Sequence, residues 1–207
     1  MSRISYISIE NFTDAQKRLC ERIIGGKRAH GRTLESFFTN EGGLKGPFNA
    51  FLYNPVIGEA AQRLGEALRF EGSLAAPLRE LAILTVAAKW EAQYEWWAHE
   101  SIARKHGLDE RVIKSLKAGV QPDFDSPEQA LVYVFCRKLL ETGHISDHLY
   151  ATAIELLGET KVVELVILLG YYTTIAMVLN VFEIPIPSEG KTPFPKNGHE
   201  NHVKSGG

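Results

Sequence analysis

The stretch LRELAILTVAAKWEAQYEWWAHE, residues 78–100, joins an apolar run to a Trp-rich segment and carries three ionisable side chains of interest, Glu80, Glu95 and His99. Glu95 and His99 are four residues apart. On a helix that spacing puts them on one face, within about 40° of each other. Glu80 opens the run ELAILTVAA, whose neighbours read as core. An unpartnered carboxylate is costly to bury, so acids in this setting need a partner or a chemical role. Two acids and an imidazole that can meet make a candidate proton-transfer site.

Outward from this stretch the chain reads as helical almost throughout. Thr13 and Asp14 suit the start of a helix, DAQKRLCERIIG, that Gly25 and Gly26 end. Residues 27–47 form a polar, Gly-containing connection with one short helical turn. Pro47 starts PFNAFLYNP, and Pro55 fits the first turn of PVIGEAAQRLGEALRF. An apolar helix is expected from Leu78 to about Lys89, and another from about Gln93 to His106, closed by Gly107. Asp109 caps DERVIKSLKAG, Ser126 and Pro127 introduce EQALVYVFCRKLLETG, and Ser146 caps DHLYATAIELLG. Period-two alternation is scarce, so no sheet is expected and the fold class is all-α, a helical bundle. From Pro185 the chain is rich in Pro, Gly, Lys and His, as in an extended or disordered arm of the kind that wraps a neighbouring subunit.

The motif RELAIL at 79–84 aligns without a gap on VELVIL at 163–168, placing Glu80 over Glu164. Two copies of one helical unit would explain the echo. Where the first copy has Glu95 and His99, the second has Leu179 and Glu183, so a site would belong to the first.

With 207 residues, 44% hydrophobic and 23% charged, the chain is long enough for one domain with arms and a sizeable core. A net charge of -2 and a pI near 6.4 provide no footprint for nucleic acid. The beginning, MSRISYISIENFTDAQ, lacks the apolar core of a signal peptide. Residues 162–182 are long enough to cross a bilayer, yet they contain Glu164 and Asn180 and read as a core or subunit-interface helix, so no membrane partner is expected. Cys20 and Cys136 form no CxxC and suit free thiols in a reducing cytoplasm.

Neither a metal nor a cofactor is expected. Glu95 to His99 is one residue longer than the Glu-x-x-His of di-iron bundles, and HExxH is absent. His144 and His148 straddle the Ser146 cap, while His199 and His202 lie in the tail. Around the site Tyr94, Trp96, Phe48 and Asn49 are candidate substrate-binding residues, and adjacent Trp96 and Trp97 diverge by about 100°, so at most one faces it squarely. An anionic substrate would want a cationic anchor, for which Arg63, Arg69, Arg79 and Arg104 are candidates. The bland alternative is a Glu–His pair one turn apart and a dipole-favoured Glu80 beside Arg79.

The pattern RELAIL…QYEWWAHE…ARKHGLDERVI, followed by VELVILLGYYTTIAMVLNVFEIPIP, resembles the carboxymuconolactone decarboxylase family, which includes the alkylhydroperoxidase D-like proteins. The resemblance covers roughly residues 48–187. It implies an all-α alkylhydroperoxidase D-like fold, with the helical unit duplicated in some members. It also implies a homotrimer or homohexamer with sites at or near subunit contacts. In the peroxidase branch a glutamate, a CxxC pair and a histidine form a redox site. The glutamate falls on Glu80 and the histidine on His99, but the cysteine positions fall on Ala92 and Glu95. Thiol-dependent peroxide reduction is therefore not available at that site, and a label of peroxiredoxin activity would be inherited.

The decarboxylase branch is similar in having glutamate, glutamate and histidine at this spacing. That resemblance implies loss of CO2 from a carboxylated unsaturated lactone, with His99 as proton donor, Glu95 orienting it, and Glu80 accepting a proton or tuning the other two. The expected function is a cofactor-free decarboxylase-like lyase or proton-transfer enzyme acting on a small carboxylated lactone or enolisable acid. The alternative is a non-catalytic helical oligomer that binds a small hydrophobic ligand. The expected organisation is an N-terminal helix and connection over 1–46, the helical domain over 47–187, and a tail or arm over 188–207.

Overall fold

Caps and prolines set most helix boundaries. In the computed structural model, which describes residues 2–188 and 190–195, Thr13 and Gln16 form a reciprocal capping box ahead of α1 (Asp14–Gly25). Pro47 precedes α2 (Phe48–Leu52), and Asn54 caps α3 (Pro55–Phe70), which opens on Pro55. The helices α4 (Ala76–Lys89) and α5 (Gln93–Lys105) follow, with Gly107 at φ 84° just past the second. The side chains of Asp109, Ser126 and Ser146 cap α6 (Glu110–Lys117), α7 (Pro127–Thr142) and α8 (Asp147–Leu157). The longest helix is α9 (Glu159–Val181). Among the described residues there is no named strand, only one antiparallel bridge between Phe38 and Leu44, so the protein is all-α.

The centre of the fold is α4, which packs against α5, α7 and α9. Every residue from Glu80 to Ala87 is buried, and that explains why this segment shows no polar face in the sequence. The partner α9 also touches α3, α5 and α8. Its apolar window has mean hydropathy 2.0 and is 50% buried against the rest of the chain. One face, including Leu165, Leu168, Leu169, Tyr172 and Leu179, enters the core. The opposite face leaves Val163, Val166, Ile167, Met177 and Val181 exposed.

Two segments depart from the sequence-based reading. The connection over 27–47 is more than a polar linker: it holds two 3-10 turns (Lys27–Ala29 and Leu34–Phe37) and buries Arg28, Phe37 and Leu44. The tail does not leave the body at Pro185. Phe194 is buried edge-on against Trp96 at 5.2 Å, and its backbone exchanges two hydrogen bonds with the Gln93 side chain, at 3.0 and 2.9 Å. A single large apolar side chain gives this Pro-rich stretch something to bury, and it docks on its own chain. His199 and His202 lie outside the described residues.

Glu164 also differs from Glu80, the residue it echoes. It accepts hydrogen bonds from Ser73 N at 2.6 Å, Ser73 Oγ at 2.8 Å and Leu74 N at 3.1 Å, tying down the loop ahead of α4. The second acid is thus spent on backbone. Phe194→Ala is expected to lower stability by about 3 kcal/mol in denaturant unfolding. An unchanged midpoint would mean that the docked tail contributes nothing to the fold.

Candidate active site

Among the described residues seven polar side chains are buried: Arg28, Asn49, Gln62, Glu80, Thr85, Glu95 and His99. Two have purely local uses. Asn49 accepts from Ile7 N at 3.1 Å and donates to Ser5 O at 2.9 Å, pinning the N-terminal segment, and Thr85 donates to Leu81 O at 2.7 Å. The others need a different account.

Glu80 on α4 is 0% exposed and reaches across to His99 on α5, with Oε2 at 2.7 Å from Nδ1. Its Oε1 accepts from Arg79 Nε at 3.3 Å. Burial pushes the Glu80 carboxyl up, but His99, Arg79 and Arg69 outweigh it and hold the group below its ordinary value. Burial also pushes the His99 imidazole down, more strongly than Glu80 raises it, and Arg69 and Arg28 lower it further. Taken together these directions favour an anionic Glu80 and a neutral His99 ring. The tautomer follows from the hydrogen bond: Nδ1–H donates to the carboxylate, leaving the lone pair on Nε2. The ring also meets Tyr172 edge-on at 5.2 Å.

Glu95 is different. It is 2% exposed, and neither carboxyl oxygen has a hydrogen-bond partner. Burial pushes it well above its ordinary value, which favours the protonated form. The expected division of labour is therefore corrected. Glu80, not Glu95, orients His99, because α4 packs against α5 and brings a full-length glutamate onto the ring. Glu95, one turn before His99 and also buried, stands apart as a neutral acid.

The other sequence-based candidates scatter. Phe48 lies under the Arg28 guanidinium, 5.5 Å from Cζ to ring centroid, while Asn49 is committed to backbone as described. Trp96 is wholly buried against Phe194. Tyr94 leans on Trp97 at 5.5 Å and lines a surface groove of about 510 Å³ with Ile4, Tyr6, Lys45 and Pro187. None of Glu80, Glu95 and His99 lines that groove. Of the arginines, Arg79 and Arg69 act on Glu80, whereas Arg104 is engaged by Glu100 and Glu110.

Sequence reasoning missed Arg28 and Gln62, and it gave Tyr171 and Tyr172 no role at the site. Arg28 sits among other basic residues in KRAHGR, so nothing in the pattern singles it out. Adjacent tyrosines in an otherwise aliphatic helix were the available signal. Cys20 and Cys136 are free and buried on α1 and α7, and burial pushes both thiols up. Among the described residues no three His, Cys, Asp or Glu side chains converge as metal ligands would.

Glu95 generates a stability prediction. The folded chain holds it protonated, whereas the unfolded chain ionises it near the ordinary value of 4.5. Folding then takes up a proton, so stability falls as pH rises from there toward the raised folded value. Glu95→Gln mimics the protonated acid and is expected to raise Tm at pH 7–8 while leaving it nearly unchanged at pH 4. An equal shift at both pH values would show that Glu95 is ionised in the fold.

No protein-family model matches this chain, and no curated protein matches it. Solved structures do. The alkylhydroperoxidase AhpD core of an uncharacterized peroxidase-related protein from Ralstonia eutropha JMP134 superposes with a TM-score of 0.72 at 16% identity, over 91% of this chain and 93% of that one. An uncharacterized peroxidase-related protein from Silicibacter sp. TM1040 gives 0.69 at 14% identity, also over 91% and 93%. Across nearly its whole length, then, this chain has the fold of the alkylhydroperoxidase D core.

Proposed function

We propose that this protein is a cofactor-free proton-transfer enzyme acting on a small carboxylated lactone or enolisable acid, with loss of CO2 as its reaction. One observation supports it above the others: a buried Glu80–His99 pair lies one helical turn from Glu95, a buried acid without a hydrogen-bond partner that burial pushes toward its protonated form. In the reaction the bond to the substrate carboxylate breaks, CO2 leaves, and the electron pair moves into a conjugated carbonyl. Glu95 gives its proton to carbon as that charge develops. His99 Nε2 then takes up a proton from water, the Glu80 charge stabilises the imidazolium, and the proton passes on to Glu95. Each turnover consumes one solvent proton and releases one CO2.

A peroxide-reducing role, as the names of the two structural neighbours suggest for those proteins, would need a reactive thiolate. By the family resemblance read in the sequence, Ala92 and Glu95 stand where the peroxidase branch carries its cysteines, and the two thiols of this chain are buried on other helices. The exposed stripe along α9 fits association of copies of this chain, as a homotrimer or homohexamer, in a cytoplasmic setting that suits free thiols.

A second reading, a non-catalytic oligomer that holds a small hydrophobic ligand, is favoured by the groove near Tyr94, which none of the three residues lines. Turnover separates the two. CO2 release from 4-carboxymuconolactone and related β-keto acids is expected from the wild type. His99→Ala and Glu95→Gln should each lower it by about 100-fold or more, with the elution volume on size exclusion unchanged. The rate should also fall as pH rises through the raised Glu95 value. Variants that lose the assembly and the rate together would favour the binding reading.

A further inference from the structure

Of the seven buried polar side chains, Arg28 is the one with a full charge and no counter-charge. It is 8% exposed, and among the described residues no carboxylate forms an ion pair with it. Its Nη2 donates to the Gln62 backbone oxygen at 2.9 Å, its face meets Phe48, and its Nε has no partner. Glu66, the nearest acid by its influence on Arg28, has Oε1 occupied by Lys27 N at 2.6 Å. Leaving a buried guanidinium without an anion is expensive, and folds retain such an arrangement where something else supplies the charge.

A chain of contacts connects Arg28 to the acid–base residues. Gly65 on α3 is where it closes. A Cβ built on that residue would stand 2.0 Å from Tyr171 Oη and 2.8 Å from Arg28 Nη2, so only glycine lets the phenol and the guanidinium meet there. From Tyr171 the path runs to Tyr172 at 5.2 Å between ring centroids, and from Tyr172 to His99 at 5.2 Å. Four of the seven orphaned buried polar atoms among the described residues fall near its ends: Arg28 Nε and the neighbouring Gln62 Oε1 at one, and at the other the two oxygens of Glu95, one helical turn before His99. Arg69 adds a second positive charge that acts on Arg28, Tyr171, Tyr172, Glu80 and His99 alike.

We propose that Arg28, with Tyr171 beside it, is an anion-binding subsite that holds a carboxylate of the substrate while Glu95 and His99 act on the carbon. The assignment rests on the acid–base reading of Glu80, Glu95 and His99. A guanidinium meets a planar carboxylate through two parallel N–H bonds, which a lysine cannot reproduce. The group held there is not the one lost as CO2, because pairing with the departing carboxylate would stabilise the ground state more than the transition state. Arg28 enters the interior from the 3-10 turn Lys27–Ala29, whose Lys27 is exposed.

Benzoate and its neutral analogue benzamide serve as probes, titrated into the full chain by calorimetry at pH 7. Benzoate is expected to bind the wild type and to lose about tenfold or more in affinity in Arg28→Met. Arg28→Lys should fall between, and Tyr171→Phe, which removes only a hydroxyl, should weaken binding by about threefold. Benzamide should bind at least tenfold more weakly than benzoate to the wild type. Circular dichroism checks the fold of each variant, and Tyr171→Phe carries the test if Arg28→Met does not fold. The proposal is overturned if benzoate does not bind, or if Arg28→Met, or Tyr171→Phe in its place, binds it as the wild type does. Binding is read without turnover, so the two readings fail separately. Arg28-dependent benzoate binding with no CO2 release contradicts the reaction, whereas CO2 release undiminished in Arg28→Met contradicts only the subsite.

Discussion

The bond between Glu80 and His99 carries the consequences of burying charge at the centre of this fold. A carboxylate inside α4 is tolerated because an imidazole on α5 and a guanidinium on Arg79 meet its two oxygens. Glu95, buried without such neighbours, is pushed the other way by burial. Two glutamates within one hydrophobic interior are thus shifted in opposite directions because one has partners and the other has none. That contrast turns a helical bundle into a candidate acid–base site.

Much of the fold was legible from local chemistry. Thr13, Asp109, Ser126 and Ser146 mark helix starts by the hydrogen bonds their side chains offer, and each caps a helix in the structure. The unbroken apolar run after Glu80 identified the central helix, since only a helix surrounded on all sides can lack a polar face. Burial of Glu80 followed from the same reasoning, while Glu95 and His99 prove to be buried on the next helix.

What could not be read was which groups meet. Spacing along α5 favoured Glu95 as the partner of His99, but that choice depends on how α4 lies against α5, a tertiary fact. Arg28 was hidden for a related reason: it stands in a polar connection, and only the 3-10 turn over Lys27–Ala29 sends it inward. Composition averages over residues, so it did not reveal that one Phe194 docks the stretch 190–195 on the body. Glu164, at the position equivalent to Glu80 in the repeated motif, holds a loop instead.

The structural neighbours share this architecture at low identity, which fits a scaffold that keeps its helical core while the residues at its centre change. Here the chemistry turns on where two protons reside, and NMR of protein labelled at histidine nitrogen and glutamate carboxyl carbon reads both directly. At pH 7 the account predicts a neutral His99 with its proton on Nδ1, a protonated Glu95 and an ionised Glu80. A positively charged His99 ring together with an ionised Glu95 would contradict it.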